Sequence, residues 1–246
     1  PGAGPPPPPP PASAAAARVV RLGPRQMLVP GLVDLHVHAP QYAFAGTGTD
    51  RPLMGEDGWL EQYTFPWERA VSADPVGLGA AASAACVARL LSEGTTTANY
   101  FGVLGAEACA ALAAACDAAG QRAVVCKVCM DRCSPEGYVE SVAEGVDGVR
   151  KLAEACGPMP LVEPGVAPRF VPTCSAESLA ALGSLAEELG IVVHSHISES
   201  MDEVEFTKAV EGDPNARDAA ILDAAGLLRP RSVYAHGVHL DRSELL

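Results

Sequence analysis

The sequence predicts an α/β fold, a TIM-type (β/α)8 barrel of which about six β/α units lie within the 246 residues. Three observations carry this expectation. Short, β-branched apolar runs alternate with Ala- and Leu-rich helical stretches, a pattern that implies a parallel sheet covered by helices. Side chains with chemistry to offer sit at or just past the ends of several strands: His36 and His38, Arg169, His196 and Glu199, and His236. A barrel gathers its active site at those ends, because they share one face with the loops that follow them. Finally, no G-x-G-x-x-G follows the first strand, which argues against a doubly wound dinucleotide-binding sheet of the same strand count.

In chain order, residues 1–17 read PGAGPPPPPPPASAAAA, and a polyproline run of this kind cannot build a packed core. The segment 1–27 is therefore expected to be disordered and 28–246 to form the barrel domain. Strands are predicted over 29–38, 95–101, 122–130, 161–170, 191–197 and 232–236, with helices near 75–93, 105–119, 138–156, 176–189 and 201–227. The connection from 39 to about 69 holds Trp59, Tyr63, Phe65 and Trp67, a large share of the few aromatics. It reads as a lid or wall over the site, with simple packing of the loop as the alternative.

Composition narrows the classes further. At 48% hydrophobic residues there is ample material for a core, and a formal net charge of -13 without any Lys/Arg-rich run speaks against a nucleic-acid partner. No apolar run reaches the roughly 20 residues of a spanning helix, and no basic segment leads into a signal-like apolar one. The expectation is a soluble, cytoplasmic protein with no membrane partner. Eight scattered cysteines suit a reducing compartment. The spacing of Cys126, Cys129 and Cys133 hints at a thiolate metal site, but VVCKVCM reads as a buried strand, so core packing is the default.

All six histidines fall into three pairs: His36 and His38, His194 and His196, His236 and His239. Residues two apart on a strand point to one face, so His36 and His38 can aim at one ion from one strand end. Catalytic zinc wants nitrogen and oxygen ligands with a position open for water. His36, His38, His196 and His236 can supply imidazoles from three strands. Glu199 lies just beyond a strand end, where a carboxyl can move a proton between water and a substrate nitrogen; the competing reading is an acid near the start of the next helix. His194 shares the face of His196, though one strand end need not bring both to the metal. His239 is expected to face solvent or a neighbouring helix.

These residues carry a family resemblance. PGLVDLHVHAPQYAFAG, LLSEGTTTANYF, GQRAVVCKVCMD, PRF, HSHISESMDEVE and YAHGVHL resemble, in order and over roughly residues 29–246, segments of the amidohydrolase superfamily and within it of the guanine deaminases. The H-x-H, S-H-I-S-E and A-H-G motifs mark the superfamily, and the Q-Y, K-V-C-M-D and P-R-F segments narrow it. The resemblance implies hydrolytic removal of the exocyclic amine of guanine, yielding xanthine and ammonia in guanine catabolism, with one zinc ion per subunit of a homodimer. It implies zinc ligation by His36, His38, His196 and His236 together with an aspartate from the last barrel strand. It further implies a grip on the purine by Gln41, Arg169, Phe170 and Glu199, and catalysis by Glu199 and His236. Residue chemistry agrees, since an amide and a guanidinium can read ring oxygen and nitrogens while a phenyl face meets the ring. The H-x-E with P-C-x-x-C signature of the other zinc nucleobase deaminases does not occur.

The last expected strand falls at 232–236, so strands seven and eight, and the aspartate that goes with them, are expected to belong to a longer active enzyme of which this chain is a piece. The competing readings are a related amidohydrolase acting on another purine, pyrimidine or triazine, a truncated isoform that only binds partners, and a structural α/β protein whose histidines bind nothing.

Overall fold

The computed structural model describes residues 19–245. The chain divides into a short leading unit, Pro1–Pro30, and the body Gly31–Leu246. In the leading unit the described residues include one turn, in which the Gln26 amide donates to the Gly23 carbonyl. Residues 1–18 of the segment expected to be disordered lie outside the described residues.

Among the described residues the body contains six strands: β1 Leu32–Val37, β2 Thr95–Phe101, β3 Arg122–Cys129, β4 Val162–Pro168, β5 Val192–Ile197 and β6 Ser232–His236. They pair in parallel and in chain order. The sheet curls, because the rings of His36 on β1 and His236 on β6 lie 5.3 Å apart although their strands are the two edges. These are six consecutive strands of a (β/α)8 barrel. Leu32, Val33 and Leu35 on the β1 edge are exposed, as expected for apolar side chains of a strand with one neighbour.

Seven α-helices among the described residues cover the sheet: α1 Phe65–Ala73, α2 Ala80–Ser92, α3 Ala106–Ala119, α4 Val142–Cys156, α5 Ala176–Leu189, α6 Met201–Glu211 and α7 Asp218–Ala224. Local chemistry sets their limits. Ser141 and Glu144 form a reciprocal capping box that starts α4 four residues later than expected, and the hydroxyls of Ser175 and Ser200 accept the N3 amides of α5 and α6. Gly190 closes α5 at φ 63°, a left-handed conformation open to glycine without a Cβ clash. The single helix expected over 201–227 is two, since α6 stops at Gly212 and Asp213-Pro214 cannot continue it. The segment 39–69 is also more regular than a loop, with a 3-10 turn at Ala39–Phe44, a π-type turn at Leu60–Thr64 and the start of α1. Pro75–Ser92 has 18 residues and composition enough to match a membrane span; here it is a turn followed by α2 of the outer layer, whose Cys86 and Val87 face the core.

Two-residue alternation on β3 separates the layers. Val125, Lys127 and Cys129 point toward the helices, while Cys126, Val128 and Met130 join Phe101, Ala167, Leu60, Phe65 and Tyr138 in an inner cluster. Buried Lys127 passes against Gly148 of α4 and meets Glu140 at 2.7 Å. The cysteine alternative fails on the same parity: Cys126 faces inward toward Asn99, Cys129 faces Gly145 of α4, and Cys133 is exposed. Cys126 and Cys129 are packing residues. On the far side, Gly183 of α5 abuts the turn before β6 so closely that an added Cβ would stand 2.0 Å from the Ala225 carbonyl oxygen. Gly183→Ala should therefore destabilise the protein by about 1–3 kcal/mol, read as a lower denaturant midpoint with unchanged slope.

Candidate active site

The C-terminal ends of the strands share one rim, and four imidazoles meet there. His36 is the penultimate residue of β1 and His38 follows its end; His196 is penultimate on β5 and His236 is last on β6. One ring nitrogen each from His36, His196 and His236 fall within 4.8 Å of one another. Nε2 of His38 stands 3.1 Å from Nε2 of His36 and 3.1 Å from Nε2 of His196. Nitrogens held at about 2.0–2.1 Å on a tetrahedral zinc are separated by about 3.3–3.4 Å, so the cluster already has nearly that spacing. This is the one grouping of three or more metal-type ligands among the described residues.

The donor set fits a cation in its protonation as well. Burial, with lesser help from His236, lowers the pKa of His36 to about 4, and burial with neighbouring histidines holds His38 and His196 well below the ordinary imidazole value. Neutral rings keep a lone pair for a metal. Partners behind the rings decide which nitrogen holds it. His196 Nδ1 donates to the Arg169 carbonyl at 2.8 Å, leaving Nε2 to face the cluster. His36 Nδ1 lies 2.8 Å from His194 Nε2, so a proton on the former leaves His36 Nε2 free. His194 is fully buried, one pleat below His196, and serves as this backing group; its own Nδ1 has no protein partner. His239 is half-buried and does not line the cavity.

A cavity of about 240 Å³ opens over the histidines, lined by Gln41, Arg169, Phe170, Glu199 and Glu203 and walled by Leu53, Trp59 and Leu60. All the sequence-predicted site residues thus come together. Of the aromatics in the 39–69 segment, Trp59 forms wall, whereas Tyr63 and Trp67 pack on Phe44 and Phe65 packs beside Arg169. Arg169 and Phe170 follow β4 directly. The Arg169 guanidinium donates to Glu68 at 2.6 and 3.5 Å, with its Cζ 4.7 Å above the Phe65 ring. Glu68 also accepts from the Tyr138 hydroxyl at 3.2 Å and the Gln41 amide at 3.3 Å.

Glu199 sits two residues beyond β5, in a turn that the backbone enters under strain. Ser198 has φ 47°, and Asp218 holds it there by accepting both its amide and its hydroxyl, at 2.9 and 3.2 Å. His236 has φ 77°, another left-handed non-glycine, fixed by the Gly237 amide donating to the Ile197 carbonyl at 2.8 Å. Glu199 Oε1 lies 3.4 Å from His236 Nε2. Burial raises the Glu199 pKa, against the lowering effect of His236 and Arg169. Glu68, His194, Glu203 and Asp218 were not among the sequence candidates. His194 was visible as the first histidine of the second H-x-H, and Glu203 as an acid at the third position of a Ser-started helix; nothing local marks Glu68 or Asp218.

Glu203 is buried in α6, accepting the Glu199 amide at 2.7 Å, and burial followed by the charge of Asp218 pushes its pKa from 4.5 up to about 8. Its folded value lies above the unfolded one, so its contribution to stability is complete below about pH 4.5 and is lost as pH rises through about 8. Glu203→Gln keeps the capping geometry without the charge. Between pH 5 and 8.5 the wild type should lose roughly 2–4 kcal/mol more than this variant in denaturant titrations; parallel profiles would refute a buried neutral carboxyl.

The model of the amidohydrolase family matches residues 27–246. Over 235 residues the chain is 40% identical to a guanine deaminase of Dictyostelium discoideum, covering 92% of this chain and 49% of that protein. A solved guanine deaminase from C. acetobutylicum with guanine bound in its active site superimposes with a TM-score of 0.82 at 30% identity, over 88% of this chain and 51% of that one. An adenosine deaminase from Xanthomonas campestris with bound zinc gives 0.74 at 30% identity, over 88% and 46%. The chain spans about half the length of the curated relatives it matches. Parallel strands in order, an imidazole cluster on their C-terminal rim and a family match across the whole body lead to one assignment: the chain belongs to the amidohydrolase family.

Proposed function

We propose that the protein of which this chain is part hydrolyses guanine to xanthine and ammonia with the help of one zinc ion. The observation that carries the reading is the meeting, in one cavity, of four imidazoles, a carboxyl of raised pKa, and an amide, a guanidinium and a phenyl ring suited to a purine. The similarity to guanine deaminases, one of them solved with guanine bound, supports the choice of ring.

In this reading His36, His38, His196 and His236 would hold the metal, with the aspartate that the resemblance places on the last barrel strand completing the set. Zinc held there acidifies a water until hydroxide is available near neutral pH. Glu199 is the proton carrier. Burial raises its pKa, and from the rim it can pass a proton to the ring nitrogen beside the amine-bearing carbon. Water adds to that carbon, one of its protons replacing the one Glu199 gave to the ring nitrogen; the other passes through Glu199 to the amine as the C–N bond breaks, so that ammonia leaves and the carbonyl forms. Gln41 and Arg169 hydrogen-bond the ring, Phe170 offers it an apolar face, and Leu53, Trp59 and Leu60 keep bulk water away. The resemblance alone adds a role in guanine catabolism and a homodimer, and the scattered cysteines support a cytoplasmic location.

The test uses the full-length protein. His36→Ala should lose bound zinc, measured by metal analysis, and with it turnover of guanine. Glu199→Gln should keep its zinc yet lower kcat by about 10²–10⁴, the loss of a positioned acid–base group. Full turnover by His36→Ala, or deamination of adenine, cytosine or a triazine without any of guanine, would displace this reading.

A further inference from the structure

Glu68 is the most deeply buried carboxylate in the site, 0% exposed, and lies 101 residues from the arginine it grips. Arg169 is 2% exposed. Charges so placed persist only when paired and hydrogen-bonded, and the Glu68 carboxylate is saturated: Arg169 through two nitrogens, the Tyr138 hydroxyl and the Gln41 amide all donate to it. His38 Nδ1 stands 3.9 Å away. The two flexible side chains it restrains, Arg169 and Gln41, are those assigned to the ring, so a role for Glu68 in recognition rests on the guanine-hydrolase reading.

The pairing has two consequences. It removes the rotamer freedom of a long guanidinium side chain before any ligand arrives. It also cancels the guanidinium charge beside the cavity. An uncompensated arginine favours carboxylates, phosphates and other anions; one already paired offers its remaining N–H groups as neutral-site donors.

We propose that Glu68 is a positioning and specificity-determining residue, which sets Arg169 and Gln41 for the ring and makes the pocket select a neutral heterocycle over an anionic one. Glu68 acts through those two side chains and does not touch the ring.

The experiment compares wild-type, Glu68→Gln and Glu68→Asp forms of the full-length, zinc-loaded protein. It measures kcat and KM for guanine, inhibition by urate (a purine anion at neutral pH), zinc content and melting temperature. For Glu68→Gln the expected result is a KM raised about tenfold and urate bound about tenfold more tightly, with zinc content unchanged. Glu68→Asp, which keeps the charge but withdraws it, should raise KM while urate stays weak. An unchanged ratio of guanine to urate affinity in Glu68→Gln overturns the proposal, because a merely structural carboxylate would lower stability without altering charge preference. If Glu68→Gln does not fold, a wild-type KM in Glu68→Asp overturns it instead. If the wild type fails to turn over guanine, the functional reading falls, while the ratio of neutral-purine to urate binding by calorimetry still decides the role of Glu68.

Discussion

Everything at the rim depends on the gathering of imidazoles at parallel strand ends. Parallel pairing points all six strands the same way, so residues far apart in the chain finish on one face. Burial then disfavours the charged forms of His36, His38 and His196, and their lowered pKa values leave lone pairs gathered in a space a few ångströms wide. Such a cluster cannot satisfy itself by hydrogen bonds among its own rings, because three nitrogens compete for the same point. A cation placed there would relieve that competition. The His194 ring and the Arg169 carbonyl behind the cluster turn His36 and His196 in the sense that a cation requires.

A second layer of buried carboxylates holds the turn that carries Glu199. Asp218 ties the strained Ser198 turn to the start of α7, and Glu203 accepts the amide of Glu199 from the first turn of α6. Desolvation, and after it the charge of Asp218, pushes Glu203 up to about 8, while desolvation alone raises Glu199 against the pull of His236 and Arg169. The strained backbone and the perturbed acids are features of one turn, in which geometry and protonation state are set together.

The segment between β1 and α2 contributes both shelter and charge. Its Trp59 and Leu60 wall the cavity, and α1 brings Glu68 under Arg169. Arg169 thereby has three separate duties. Its carbonyl orients His196, its guanidinium stacks on Phe65, and the guanidinium's charge is answered by Glu68.

Much of this was legible in the residues alone. Short β-branched apolar runs located β2 and β6 to the residue, and helix starts at Ser175 and Ser200 carry their own capping signals. The H-x-H spacing on β1 and the histidines ending β5 and β6 announced a shared rim, because pleat parity and parallel pairing are local rules applied repeatedly. Other features depend on the assembled fold. His194 and His196 are equivalent by parity, yet one pleat of depth makes the first a buried backing group and the second a cavity residue. Glu68 carries no local mark, since an acid in an aromatic segment is ordinary until a strand end 101 residues away delivers a buried guanidinium to it. Asp218 likewise acquires its role only when α7 meets the turn after β5. Sequence alone determined the alternating units, the strand-end histidines and the family; the tertiary structure alone decided which polar groups stand behind them, because buried charges choose partners across space and not along the chain.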